Sequence, residues 1–264
     1  MEQVKVFSFG GGVQSTAVLV LAARREVDFQ TFVFCNVGED SENPDTLTYV
    51  EQYARPYAEA HGLEFVELRK RVYGGPESLL HYTCRRKRQV PLPCWLRSGT
   101  NCNRTCTYEF KIRVVGSFTV RRGARRKNVA INGMGISTDE AHRCRTYSVI
   151  PWQMPNYPLI DLNLSREDCE RLIASEGLPV PPKSSCWFCP FHRPEQWVEL
   201  RAQHPDLFER ALELEDMLNR RRELLGRDPV SLHASGLPLG MAVDRQEPVA
   251  GMEFAFCDSG HCMT

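Results

Sequence analysis

The stretch Ser8-Phe9-Gly10-Gly11-Gly12-Val13-Gln14-Ser15-Thr16 restricts this chain more than any other. It follows an apolar run, Val4 to Phe9, that reads as a buried strand, and it leads into Thr16 to Ala23, which reads as a helix. Three residues without Cβ let backbone N–H groups come close to an anion. Ser15 and Thr16 add hydroxyl donors, and the helix N-terminus adds unpaired N–H groups and a favourable dipole. The stretch therefore predicts a phosphate cradle at the end of a strand.

The cradle has no lysine between Gly10 and Thr16, so it is not G-x-x-x-x-G-K-[ST], and it is not G-x-G-x-x-G either. It resembles the pyrophosphate loop, S-G-G-x-D-S, of the adenine nucleotide α-hydrolase (PP-loop, N-type ATP pyrophosphatase) superfamily. That superfamily holds tRNA thiolases, phosphoadenosine-phosphosulfate (PAPS) reductases and DNA phosphorothioation sulfurtransferases. Gly11, Gly12 and Ser15 match; Gly10 stands at the first serine and Gln14 at the aspartate. The resemblance implies a nucleotide held by Ser8, Gly10, Gly11, Gly12, Gln14, Ser15 and Thr16.

At 264 residues the chain is long enough for one large domain with an appendage. Lys plus Arg and Asp plus Glu balance at 33 each, so net charge gives no reason to expect a polyanion, although basic residues cluster locally. No apolar run approaches a membrane span, and the N-terminus enters a strand without a signal peptide, so the expected location is the cytoplasm. Eleven cysteines in a reducing compartment suit metal or redox work better than a disulfide framework.

Thr31 to Val37 reads as a second strand ending in the loop Gly38 to Ser41, Asp45 to His61 as a helix stopped by Gly62, and Leu63 to Leu68 as a third strand. Strand, helix and strand at this spacing predict a parallel sheet with crossover helices and a ligand at its carboxyl edge. In the resembled superfamily the second loop lies near the adenosine, which implicates Asn36. Cys35 reads as a small buried hydrophobe. Residues 74–103 read as irregular and carry the basic run Arg85 to Arg88. A helix is expected to begin in Cys102-Asn103-Arg104-Thr105-Cys106-Thr107-Tyr108-Glu109-Phe110-Lys111-Ile112-Arg113. A second basic run, Arg121 to Lys127, precedes a strand at Asn128 to Asn132 and the block Gly133 to Arg143. Ser165 reads as the N-cap of the next helix, with Asp168 at the capping-box position and Gly177 at the end. Ser184-Ser185-Cys186-Trp187-Phe188-Cys189-Pro190-Phe191 follows, then helices over 194–204 and 205–225, and from Arg227 onward a loop-like segment. The tail ends with Cys257 and Cys262.

These later blocks are similar to the PAPS-reductase-like branch of the same superfamily. The similarity implies that Lys111 and Arg113 contact phosphate or substrate, that Gly135 approaches the nucleotide and that Arg143 pairs with phosphate. Gly135, Asp139, Glu140 and Arg143 match the family's G-[apolar]-R-x-[DE]-[ES]-x-x-R block, in which Ser137 replaces an arginine. It also implies that Cys106, Cys186 and Cys189 ligate a [4Fe-4S] cluster, with zinc as the alternative. Cys102 is then the expected fourth ligand, one turn before Cys106 if that segment is helical. Cys257 or Cys262 would be the nucleophile or persulfide carrier on the tail.

The expected fold is α/β, a doubly wound, mostly parallel, HUP-like sheet over residues 1–165, with a helical, cysteine-rich extension over 166–264. The expected chemistry is sulfur transfer to an acceptor adenylylated by ATP with Mg²⁺. The acceptor would be a nucleic acid (tRNA or DNA) met through the basic runs, and the sulfur would come from a donor such as a cysteine desulfurase. Reduction of an adenylyl sulfate through a tail cysteine, and a nucleotide-binding regulator without catalysis, are the alternatives.

Overall fold

The structure, a computed structural model, describes residues 3–246. The chain runs through β1 (Lys5–Phe9), α1 (Val13–Ala23), β2 (Thr31–Cys35), α2 (Pro44–Tyr49), a π-helical turn (Val50–Ala54), α3 (Arg55–Ala60) and β3 (Glu64–Leu68). A hairpin of Arg71–Val72 with Gly75–Pro76 and α4 (Leu79–Arg85) follow. A helix opens at Thr105–Thr107, passes a π-helical turn at Tyr108–Ile112 and continues as α5 (Arg113–Arg121). Then come β4 (Ala130–Met134), a 3₁₀ turn (Thr138–Arg143), β5 (Gln153–Asn156), a short helix (Pro158–Asp161) and α6 (Arg166–Ser175). The remaining helices are α7 (Pro194–Gln203), α8 (Pro205–Leu224) and α9 (Leu239–Asp244).

The described residues form two compact units, 3–77 with 107–184 and 78–106 with 185–246. This differs from the linear division expected at residue 165. The segment 78–106 has no place in the first unit's sheet and packs with the C-terminal residues, while α6 and the connector to Ser184 belong with the sheet.

The first unit is a five-stranded parallel sheet in the order β3-β2-β1-β4-β5. Alternation along the strands separates two apolar faces. Phe7, Phe9, Phe32 and Phe34 point to one side, where they pack in a core with Ala17, Val18, Leu21, Tyr49, Ala54, Leu159 and Ile173. Val6, Val33 and Cys35 point to the other, under Val115 and Phe118 of α5. Helices thus cover both faces, as the doubly wound expectation requires. On β4, a Cβ at Gly133 would lie 2.6 Å from the Phe7 and Phe29 rings, so the bare glycine lets those rings close over the strand. The strand at Gln153–Asn156 is not signalled by the sequence: Pro155 and Asn156 are poor strand formers, and it pairs only on its β4 side as an edge strand.

The second unit is held by aromatic packing and by a buried carboxylate. Trp95 pairs in isolated antiparallel bridges with Asn101 and with Ser231, and its Nε1 donates to the Pro190 carbonyl at 2.7 Å. Glu215, on α8, accepts from the Leu232 and Leu239 backbone N–H groups at 2.7 and 2.8 Å. Those bonds tie down the segment after Arg227, which includes α9 where the sequence predicts only loop.

Candidate functional site

The strand order reverses at β1: β2 and β3 lie on one side, β4 and β5 on the other. In open parallel sheets a ligand sits at that reversal, outside the carboxyl ends. Here the ends of β1 and β4 carry Gly10–Gly12 and Gly135. Gly11 has φ +80°, and a Cβ there would stand 2.8 Å from the Thr46 methyl. Gly12 is the N-cap of α1, with its N–H on Ser15 Oγ at 3.2 Å, and Ser15 Oγ donates to the Gly12 carbonyl at 2.9 Å. Gly135 presses on the start of the same helix: a Cβ would lie 2.9 Å from the Ser15 nitrogen and 3.0 Å from the Gln14 carbonyl carbon. Gly10 is open, its virtual Cβ meeting only Ser15 Oγ at 3.9 Å, so the position would accept the serine of the family pattern.

A residue not singled out from the sequence completes the cradle. Ser184 is buried, and its Oγ has no hydrogen-bond partner among the described residues. That oxygen lies 3.0 Å from where a Gly12 Cβ would be. A buried hydroxyl left without a partner costs about 1–3 kcal/mol, and an anion lying on the glycines would satisfy it. The cradle therefore fits a phosphate. In sequence Ser184 is only the first serine of the Ser184-Ser185-Cys186 block, and its approach to Gly12 depends on the fold.

Other expected nucleotide contacts are placed less directly. Ser8 lies inside β1 and donates to Asn132 Oδ1 at 2.8 Å, joining β1 to β4. Thr16 is fully buried in the first turn of α1. Asn36, just past β2, donates to Glu67 Oε1 at 3.0 Å and accepts from the Gly38 N–H at 2.8 Å, so it shapes the second loop. Gln14 is buried; its Nε2 donates to Ser137 Oγ at 3.4 Å and its Oε1 accepts from Arg166 at 3.4 Å. The departures at Gln14 and Ser137, each where the resembled pattern has a charged residue, are therefore neighbours and form a neutral pair.

The expected cations stand in elements at this edge. Lys111 is buried in the π-helical turn, with its carbonyl 4.0 Å from Cys35 Sγ at the end of β2. Burial pushes the Cys35 thiol up to about 12, against the pull of the Lys111 ammonium and with Glu42 adding to the rise. This is the inert, packed thiol expected. Arg143 is buried in the turn after β4 and pairs with buried Glu140 at 2.6 Å. Asp139 accepts from the Arg166 backbone N–H at 2.6 Å, tying that turn to α6.

The four expected metal ligands, Cys102, Cys106, Cys186 and Cys189, all fall in the second unit. Cys102 is not helical: its N–H donates to the Cys94 carbonyl at 2.8 Å, continuing the antiparallel pairing of Trp95 with Asn101. The helix begins only at Thr105, so the one-turn relation between Cys102 and Cys106 does not hold. Cys106 donates its N–H to the Pro91 carbonyl, and Cys189 to Cys186, closing a turn. The Trp95–Pro190 bond, the Trp95–Phe191 ring contact and Arg104 over the Phe191 ring bind the two cysteine-bearing segments together. Cys94 is fully buried; burial, then Cys102, Glu215 and Cys106, push its thiol well above the ordinary range. All nine described cysteines are free of disulfides, and no three His, Cys, Asp or Glu side chains among the described residues are grouped to hold a metal ion. The donor set nevertheless suits a thiophilic metal, since four thiols lie on two segments already pinned to each other. Cys257 and Cys262 lie outside the described residues. No helix among the described residues is long and apolar enough to cross a membrane.

No protein-family model and no curated protein matches the chain. Eight solved chains are similar, among them the following two. One is phosphoadenylyl-sulfate (PAPS) reductase from Candida auris in a phosphate complex, at TM-score 0.45 and 14% identity over 69% of this chain and 76% of that one. The other is the U34-tRNA thiolase NcsA from Methanococcus maripaludis with its [4Fe-4S] cluster, at TM-score 0.41 and 13% identity over 93% of this chain and 82% of that one.

Proposed function

We propose that the chain is a PP-loop enzyme of the PAPS-reductase-like branch that activates an acceptor with ATP and transfers sulfur to it. The observation that carries the reading is the cradle at the strand-order reversal. Its backbone is bared by Gly11 and Gly12 and braced by Gly135, and it faces the Ser184 hydroxyl, which has no hydrogen-bond partner among the described residues. ATP would lie with its phosphates on the loop. An acceptor oxygen attacks the α-phosphorus, the bond to the bridging oxygen breaks, and pyrophosphate leaves. A sulfur nucleophile then attacks the acceptor carbon, and AMP departs with the oxygen. The loop amides, Ser15 and the cations Lys111 and Arg143 would supply the positive field for the first step. Gln14 offers an amide rather than a carboxylate, so Mg²⁺ would be held chiefly through the phosphates.

In the second unit Cys102, Cys106, Cys186 and Cys189 would hold the metal group. A [4Fe-4S] cluster there would supply either an open iron for sulfur or an electron-transfer centre, and zinc would supply structure. The acceptor, the tRNA or DNA alternatives, the desulfurase-type donor and a role for Cys257 or Cys262 belong to the same proposal.

One observation favours a second reading. The neutral Gln14–Ser137 pair, where the family pattern has two charged residues, suits a nucleotide-binding regulator. Pyrophosphate release from ATP in the presence of candidate acceptors, measured with anaerobically purified protein, is the expected result. Sulfite release from adenylyl sulfates would replace the proposal by reduction. Nucleotide binding with neither product would replace it by the regulator.

A further inference from the structure

The first unit carries a second concavity, a groove of about 1080 Å³ between the hairpin after β3 and helix α5. Arg69, Lys70, Arg71, Arg113 and Arg121 line it, against the carboxylates of Glu67 and Glu109. The carboxylates are already engaged. Glu67 takes Arg69 and Arg55, and Glu109 takes Lys70 and Arg113. Arg71 and Arg121 are exposed and have no carboxylate partner among the described residues. The groove thus keeps a positive excess. It also continues into the basic run Arg121 to Lys127, of which Arg125, Arg126 and Lys127 are exposed.

Tyr73 is the second observation. It stands at the turn of the hairpin, between Val72 and Gly75, and lines the groove with a relative exposure of 108%, so nothing among the described residues covers its ring. Val72 beside it is 41% exposed. An uncovered aromatic ring next to a row of cations offers a base-stacking platform beside phosphate contacts. A simple inorganic anion would use the cations and leave the ring idle. A peptide carboxylate would do the same. Helix α5 is nine residues long, about 14 Å at 1.5 Å per residue, so its two exposed arginines at positions 113 and 121 can follow a strand over more than one phosphate.

We propose that this groove binds single-stranded nucleic acid, with phosphates on Arg71 and Arg121 and a base stacked on Tyr73. The proposal deepens the reading of the chain as an acceptor-modifying enzyme and rests on it only for the strand's role as acceptor; binding itself needs neither nucleotide nor metal. The site differs from the basic run Arg85 to Arg88, which lies in the other unit.

Fluorescence anisotropy with labelled twelve-nucleotide oligo-U and oligo-dT, on the full-length protein without ATP, tests it. Both probes carry the shared chemistry, and a preference between them names RNA or DNA as the source. Tyr73→Ala is expected to weaken binding about tenfold, the loss of one stacked base. Arg71→Glu with Arg121→Glu should weaken it further and flatten the slope of log affinity against log salt by about 1.4, the loss of two phosphate contacts on a single strand. Arg85→Glu should change little. Unchanged affinity and slope in the groove variants, with thermal melts confirming that they fold, would overturn the proposal. So would wild-type protein that binds neither probe, or that binds a duplex of the same length more tightly. Pyrophosphate release by the wild-type protein is measured separately and tests the catalytic reading, whereas strand binding without ATP tests the groove.

Discussion

At Gly11 two constraints coincide. The backbone is in the left-handed region, and the space that a Cβ would need is taken by the Thr46 methyl. Gly11→Val is therefore expected to abolish ATP binding in a calorimetric titration, because the loop must move off the phosphate geometry; far-UV circular dichroism should remain native. Gly10→Ser, one residue away with open space at Cβ, should bind as wild type. Unchanged binding in Gly11→Val would show that the loop is merely a turn. The glycines, Ser15 and the order strand–loop–helix were legible in sequence because local backbone chemistry dictates them. Ser184 was not, because its meaning depends on a hydroxyl from far along the chain reaching Gly12. Cys35 makes a second prediction at this scale. With its thiol held near 12 by burial, it stays protonated across the physiological range, so alkylation at pH 8 followed by peptide mass mapping should leave it unmodified in the folded protein.

Among the elements, α6 shows how a cap is written in sequence. Ser165 Oγ accepts from the Asp168 N–H at 3.2 Å, and Asp168 accepts from the Ser165 N–H at 2.9 Å, the reciprocal pair that the spacing predicted. Ser165→Ala should lower stability by about 1 kcal/mol, the usual value of an N-cap, read as a shift in the urea midpoint. Asp168 gives that cap a pH signature. Hydrogen bonds from the Ser165 hydroxyl and backbone, followed by Arg171, lower its carboxyl to about 2. A depressed folded-state pKa means that the stabilisation is complete above the unfolded value of 3.8 and disappears as pH falls through about 2. The stability gap between wild type and Asp168→Asn should therefore shrink between pH 5 and pH 2; a constant gap would refute the assignment. Caps, glycine stops and strand alternation depend on a few adjacent residues, which is why α6, Gly177 and the first three strands could be read directly. Strand β5 and helix α9 could not. The first depends on β4 offering its edge, and the second on Glu215 accepting the Leu239 N–H from another helix.

On the scale of the whole molecule, the chain leaves its sheet unit at residue 78 and returns at 107, and the cysteines follow that excursion rather than the linear order. The expected pairing of Cys102 with Cys106 on one helical turn gives way to an extended pairing of Cys102 with Cys94, while Cys186 and Cys189 keep the turn that their spacing implied. This bears on how many thiolates a metal would receive. Anaerobic purification of Cys102→Ala, Cys106→Ala, Cys186→Ala and Cys189→Ala, with iron, sulfide and zinc analysis of each, resolves the ligand set. Thiolate ligands select iron–sulfur or zinc over harder cations, so Cys186→Ala and Cys189→Ala should lose the metal. Full metal in both would remove the site. Iron with equimolar sulfide would establish the cluster, and zinc alone would make the site structural. If Cys102→Ala keeps its metal while Cys106→Ala loses it, three thiolates suffice, and a [4Fe-4S] cluster would keep one iron open to carry sulfur. If all four lose it, the cluster is closed, and the sulfur must travel by another thiol.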